Sequence, residues 1–135
     1  MSNTNQLLVD WRNLLNHAIM AREFAYAPYS HYKVGAALLT QSGKIYTGCN
    51  VENAGYSGTV CAERIAIFKA VSEGEHAFVA IAVVTTNAGS PCGVCRQVMR
   101  EFSVDLPILV GDTNYNYQIF TLADLLPHSF GPENL

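Results

Sequence analysis

Apolar and polar positions alternate along the chain in a way that separates helices from strands. Leu7, Leu8, Trp11, Leu14, Leu15, Ala18 and Ile19 recur at steps of one, three and four, which predicts a helix over 7–19 that must stop before Pro28. Val34 to Leu39 and Lys44 to Cys49 then flank Gln41-Ser42-Gly43, the pattern of two strands joined by a short hairpin loop. Asn50 to Val60 is polar, contains Gly55 and Gly58, and is expected to be a loop. Helical spacing returns from Cys61 to Val71 through Ala62, Ile65, Ala66 and Ala70, with Gly74 marking the end.

Phe78 to Thr85 is a short apolar run rich in branched residues, as in a strand buried on both faces. Ser90-Pro91 reads as a helix start, because Ser can cap and Pro fits the first helical position; the helix should reach Phe102. A strand over Pro107 to Gly111, a short strand over Tyr117 to Thr121 and a short helix from Leu122 to Leu126 follow, the last halted by Pro127. This order predicts an α/β domain of three α/β/α layers. Its mixed sheet should hold an antiparallel hairpin first and strands of parallel character, linked by crossover helices, after it.

Composition narrows the picture further. The 135 residues, half of them hydrophobic and only 14% charged, suit one ordered domain spanning 1–135. The net charge of -3 and the lack of a basic run argue against a nucleic-acid partner and for a small-molecule substrate. Met-Ser-Asn-Thr-Asn-Gln has neither the basic start nor the apolar stretch of a secretory signal, and no run is long enough for a membrane span. A cytoplasmic location is therefore expected. Reducing conditions there turn attention from disulfides to metal or redox roles for the cysteines.

Of the four cysteines, Cys92 and Cys95 form a C-x-x-C at a predicted helix start, where free N–H groups and the helix dipole favour thiolate. Taken alone, that motif suits a redox helix, a structural zinc or a catalytic zinc equally. Cys61-Ala62-Glu63 at the preceding helix start breaks the tie, because a third thiolate followed by a carboxylate fits an open, three-ligand metal site with its own proton carrier. Glu63 is the candidate general acid/base. Three thiolates on one zinc leave a negative charge, which Arg64, on the same helical face as Cys61, can offset by bonding the sulfurs. Cys49, at a strand end, reads as a small buried hydrophobe, with a fourth-ligand role as the alternative. His17, His31, His76 and His128 fall at no ligand position and read as surface or packing residues.

Ala25-Tyr-Ala-Pro-Tyr-Ser30, Val34-Gly-Ala-Ala37, Gly48-Cys-Asn-Val-Glu-Asn53, Cys61-Ala-Glu-Arg64, Pro91-Cys-Gly-Val-Cys-Arg-Gln97 and Phe130-Gly-Pro132 together resemble the small, three-cysteine zinc cytidine deaminases along nearly the whole chain. The His/Cys-x-Glu with P-C-x-x-C pattern is the known signature of zinc deaminases. The resemblance implies a cytidine deaminase-like fold with a five-stranded mixed sheet, and one zinc per subunit on Cys61, Cys92 and Cys95. It implies attack of a zinc-activated water on C4 of cytosine, with Glu63 moving the protons in pyrimidine salvage. It further implies that the Ala62 N–H holds the pyrimidine O2, that Asn50 and Glu52 bind the ribose, and that Phe24 lines the base. A homotetramer with shared sites is implied too, Tyr56 and Phe130 being the candidates for contacts with neighbouring subunits. Arg96 and Gln97 fit the motif, with roles in substrate contact or in helix structure both open.

Overall fold

A computed structural model describes residues 8–135. The elements, in chain order, are α1 (Trp11–Arg22), β1 (Gly35–Thr40), β2 (Ile45–Cys49), α2 (Ala62–Ser72), β3 (Phe78–Val84), α3 (Gly93–Phe102), β4 (Pro107–Gly111), β5 (Tyr117–Thr121), α4 (Leu122–Leu125) and a terminal 3-10 turn, Pro132–Asn134. The helix expected over 7–19 is displaced towards the carboxyl end. Asp10 caps it by accepting from the Asn13 N–H at 3.0 Å, which sets the first turn at Trp11 and leaves Leu8 exposed; Leu7 lies outside the described residues. The 3-10 turn carries no hydrophobic period and was not expected.

One sheet of five strands runs β2-β1-β3-β4-β5. The hairpin pairs as anticipated, with Gly35 opposite Cys49 and Leu39 opposite Ile45, and β1 is antiparallel to β3. Among the strands of this sheet, parallel pairing is confined to β3 and β4, where Ile81 faces Ile108 and Val84 faces Gly111, with α3 as the crossover. β5 instead returns antiparallel to β4, because the link between them, 112–116, is a tight turn in which Asp112 accepts from the N–H groups of Asn114 and Asn116 and leaves no chain for a crossover.

Alternate side chains of the sheet divide the core in two. Ala37, Ala80, Ala82, Val84 and Leu109 pack against Leu14, Leu15 and Ala18 of α1. Ala36, Leu38, Ile81, Ile108 and Val110 pack against Ala62, Ala66 and Ile67 of α2 and Cys95 and Met99 of α3. This is the period of two expected of a sheet covered on both faces, and it makes the three layers. Alanine dominates the α1 face and lets that helix lie close.

Two glycines set the two ends of α2. Gly74 takes φ +91, the left-handed geometry that ends α2 with its N–H bonded to the Val71 carbonyl. At Gly48 a Cβ would strike the Ala62 carbonyl oxygen and the Ala66 nitrogen, so β2 and the first turn of α2 touch backbone to backbone. That contact fixes the start of α2 against the strand that leads into Asn50.

Candidate metal centre and cleft

Two helix amino termini meet at one point. Cys61 is the cap residue of α2 and Cys92 that of α3, both in extended backbone, and neither side chain makes a capping hydrogen bond to the backbone of its helix. Ser90-Pro91 therefore does not begin α3 as expected. The helix starts two residues later, and the Ser90 hydroxyl accepts instead from Arg96 Nη2 at 3.0 Å. The shift turns both cap positions over to thiols and leaves the first N–H groups of each helix without helical partners.

The sulfurs of Cys61, Cys92 and Cys95 lie within 4.8 Å of one another, with Cys61 and Cys92 at 3.8 Å. Cys95 is fully buried, Cys61 partly so, and Cys92 exposed. All four cysteines are free, and Cys49 stands outside the cluster, its thiol pushed up mainly by burial. Arg64 Nη2 donates to Cys61 Sγ at 3.2 Å, as the helical spacing suggested. The Cys61 thiol is held well below its ordinary range, first by Cys95 as a donor and then by Arg64, while Cys95 is pushed up as the partner that keeps its proton. A set of three soft thiols at this spacing, already tilted towards thiolate by a guanidinium and two helix ends, fits zinc and leaves a fourth position of a tetrahedron free.

Glu63, in the first turn of α2, is 4% exposed. Burial, more than any neighbour, raises its carboxyl to about 7. It lines a cleft of about 250 Å³ with Cys61, Cys92, Asn50, Glu52, Tyr32, Val34, Thr59, Val83, Thr85, Gly89 and Ser90. Two of the three clustered thiols, the buried carboxyl and the polar pair thus line one cavity, while Cys95 is fully buried. The Ala62 side chain is fully buried and points away from it into the core with α3.

Asn50 is buried and bridges the segment entering β1: its Oδ1 accepts from the Val34 N–H at 2.9 Å and its Nδ2 donates to the Tyr32 carbonyl at 2.8 Å. Glu52 Oε1 accepts from the N–H groups of Tyr29 and Ser30 at 2.9 and 3.1 Å, and Oε2 accepts from the Ser30 hydroxyl. The Ser30 bond is the main reason the Glu52 carboxyl lies below the usual carboxylate range. The loop over 50–60 is accordingly less irregular than expected, since Val51 bridges both Tyr26 and Val60.

Arg96 has its role in structure. Its guanidinium donates to the Pro91 carbonyl at 2.7 Å and the Leu125 carbonyl at 2.6 Å, besides Ser90, and so braces the turn that presents Cys92. Gln97 donates to the Phe130 carbonyl at 2.8 Å. Phe24 is not brought to the cleft. It stands 81% exposed, just past the end of α1, where the chain turns to let Tyr26 pair with Val51. The aromatic residue in the cleft wall is Tyr32, which the reading of the sequence missed. Its signal was available as an aromatic residue in the polar stretch directly before β1, the segment that Asn50 grips. Tyr56 and Phe130 are 79% and 55% exposed and lie outside this cleft.

Residues 10–110 match the model of the family described as the cytidine and deoxycytidylate deaminase zinc-binding region. The chain belongs to the cytidine deaminase family. A cytidine deaminase from Sporosarcina psychrophila is 48% identical over 130 residues, 94% of this chain and 96% of that protein. One from Halalkalibacterium halodurans is also 48% identical, over 94% of this chain and 98% of its own length. Among solved structures, the crystal structure of cytidine deaminase from Burkholderia pseudomallei superposes with a TM-score of 0.85 at 45% identity, covering 91% of this chain and all, 100%, of that one. The cytidine deaminase structure from Mycobacterium tuberculosis gives 0.78 at 40% identity, over 92% and 99% of the two chains. Membership makes the protein an enzyme of a hydrolytic deaminase family, with the three-layer fold common to those structures.

Proposed function

We propose that the protein hydrolyses the C4 amino group of cytidine and deoxycytidine, giving uridine and deoxyuridine with release of ammonia, and that it serves pyrimidine salvage in the cytoplasm as a single catalytic domain. The observation that carries this reading is the buried Glu63 sharing one cleft with a three-thiol cluster and the Asn50/Glu52 pair. Among the described residues no helix is long and apolar enough to cross a membrane, which is consistent with the location.

Cys61, Cys92 and Cys95 would hold one zinc ion per subunit. When bound, zinc supplies a Lewis acid that makes a water ionisable near neutral pH. Glu63 then acts three times: its carboxylate takes a proton from the attacking water, delivers it to N3 of the base, and later carries the second water proton to the departing amine. A carboxyl raised to about 7 by burial suits both directions of transfer at neutral pH. The Ala62 N–H, at the first position of α2 and without a helical partner, donates to the pyrimidine O2. Arg64 draws charge from the thiolate of Cys61 and so keeps the three-sulfur set from weakening the metal as an acid.

Asn50 and Glu52 bind the ribose. Each keeps acceptor capacity beyond the bonds it makes to the chain, and both line the cleft. Tyr56 and Phe130, large and exposed, complete the sites of neighbouring subunits in a homotetramer; Gln97 fixes the backbone that carries Phe130.

The test is direct. Purified protein is assayed for zinc and incubated separately with cytidine, deoxycytidine and free cytosine, with ammonia release measured. About one zinc per chain and turnover of both nucleosides but not of cytosine is the expected result. Absence of zinc, or zinc without ammonia release, would sink the proposal. Glu63→Gln should keep zinc and fold while losing a factor on the order of 10² to 10⁴ in turnover; full activity would remove Glu63 from the mechanism.

A further inference from the structure

The cleft is walled on one side by Tyr32, in the segment entering β1, and on another by Thr85, Gly89 and Ser90, in the loop that leaves β3 towards Cys92. These walls are distant in sequence, yet a hydrogen bond joins them. The Tyr32 hydroxyl donates to Asn87 Oδ1 at 2.7 Å. The same oxygen accepts from the Thr85 hydroxyl at 3.1 Å, and the Thr85 oxygen in turn accepts from the Gly89 N–H at 2.7 Å. The hydroxyl lies so close over position 89 that a Cβ there would push it aside. At its other end Tyr32 is held by its main chain: the carbonyl accepts from Asn50 Nδ2 at 2.8 Å and the N–H donates to the Ser30 hydroxyl at 3.0 Å. Neither Tyr32 nor Asn87 belongs to either core cluster, and both are exposed.

We infer that Tyr32 and Asn87 form a strap across the rim of the cleft, which presets the Tyr32 ring as a wall for the pyrimidine nucleoside, with Asn87 as a positioning residue that acts through Tyr32. The inference rests on the cleft taking a nucleoside, as proposed above. A tyrosine free at its hydroxyl end must be immobilised by the substrate on binding, and that ordering weakens affinity. A ring already tied at both ends leaves nothing to order. No hydrogen bond of the strap goes to the thiol cluster or to Glu63, so its loss belongs in binding and leaves the chemical step alone.

The experiment compares wild type, Tyr32→Phe, Asn87→Ala, Asn87→Asp and the Tyr32→Phe/Asn87→Ala double variant, with steady-state kinetics on cytidine, zinc content and thermal unfolding. Tyr32→Phe keeps the ring and removes the hydroxyl alone. It and Asn87→Ala should each raise KM for cytidine roughly three- to tenfold with kcat changed less than about twofold and zinc retained. The double variant should be no worse than the worse single one, because the two side chains make one bond. Asn87→Asp keeps an acceptor for the hydroxyl and should return KM towards wild type. An unchanged KM in Tyr32→Phe overturns the strap, as do KM effects that multiply in the double variant, or a loss confined to kcat and zinc content. Wild-type protein that turns over no cytidine at all overturns the nucleoside reading and the strap's role with it, an outcome visible before any variant is made.

Discussion

At the proposed metal end of the cleft, the three thiols come from the amino-terminal ends of α2 and α3, two helices packed into the core through Ala66, Ile67 and Met99. At the proposed sugar end, Asn50 and Glu52 follow β2 in a loop, and their side chains are already engaged, by Val34 and Tyr32 in one case and by Tyr29 and Ser30 in the other. The metal end is thus aimed by backbone direction, with neither cap thiol spent on capping its helix. The sugar end is aimed by the same polar atoms that would bind. Substitutions at the two ends should fail in different ways: at the first by losing the metal with the fold retained, at the second by loosening the chain around the cleft.

The largest separation is expected from Cys92→Ala. Cys92 is the exposed member of the cluster and makes no cap bond, so its loss removes a zinc ligand with little cost to packing. Zinc content should fall far below stoichiometric and ammonia release from cytidine should become undetectable, while circular dichroism stays that of wild type. Stoichiometric zinc in this variant would bring Cys49 back as a ligand.

A second test at the metal end uses acid and base. In the metal-stripped protein the buried Glu63 carboxyl is raised from 4.5 to about 7. Between those values the folded state holds a proton that the unfolded chain has released. Stability is therefore fully present below about pH 4.5 and declines as pH rises to about 7. The decline attributable to Glu63 is roughly 3 kcal/mol. Urea unfolding of the stripped protein at several pH values should show it, and stripped Glu63→Gln should lack that part of the slope. Identical slopes in the two proteins would mean that the carboxyl is solvated.

The same contrast explains what could be read from the sequence. Cys61-Ala62-Glu63-Arg64 and Cys92-Gly93-Val94-Cys95 lie within single helix turns, so helix geometry converts their spacing into position, and the Arg64 to Cys61 bond was legible before any fold. The hairpin was legible through its short Gly-containing loop, and β3 through its continuous run of apolar, branched residues. Helix starts were less so: Ser90-Pro91 has the composition of a start, but Arg96 takes the Ser90 hydroxyl and moves the cap to Cys92. The cleft wall was least legible. Phe24 and Tyr32 are both aromatic residues between α1 and β1, and choosing between them requires knowing that Asn50, eighteen residues beyond Tyr32, holds the Tyr32 carbonyl. Nothing in local spacing encodes such a contact.

Asn50→Ala probes the proposed sugar end, where the expected effect on turnover is smallest and the pattern most specific. Asn50 is 8% exposed and satisfies two main-chain groups in the segment entering β1, the Val34 N–H and the Tyr32 carbonyl. Alanine cannot replace either bond, and an unpaired buried polar group costs about 1–3 kcal/mol. Because the segment beside the rim can admit water to one of the two, a loss near 2 kcal/mol is expected, read as a lower midpoint in urea with an unchanged slope. Zinc should remain stoichiometric, since no ligand depends on these bonds. KM for cytidine should rise more than in Tyr32→Phe, because Asn50→Ala removes a proposed ribose contact and also releases the main chain beneath the Tyr32 ring. Loss of zinc in Asn50→Ala would show that the two ends fail together, and would end the contrast between a metal site aimed by helices and a sugar site aimed by its own side chains.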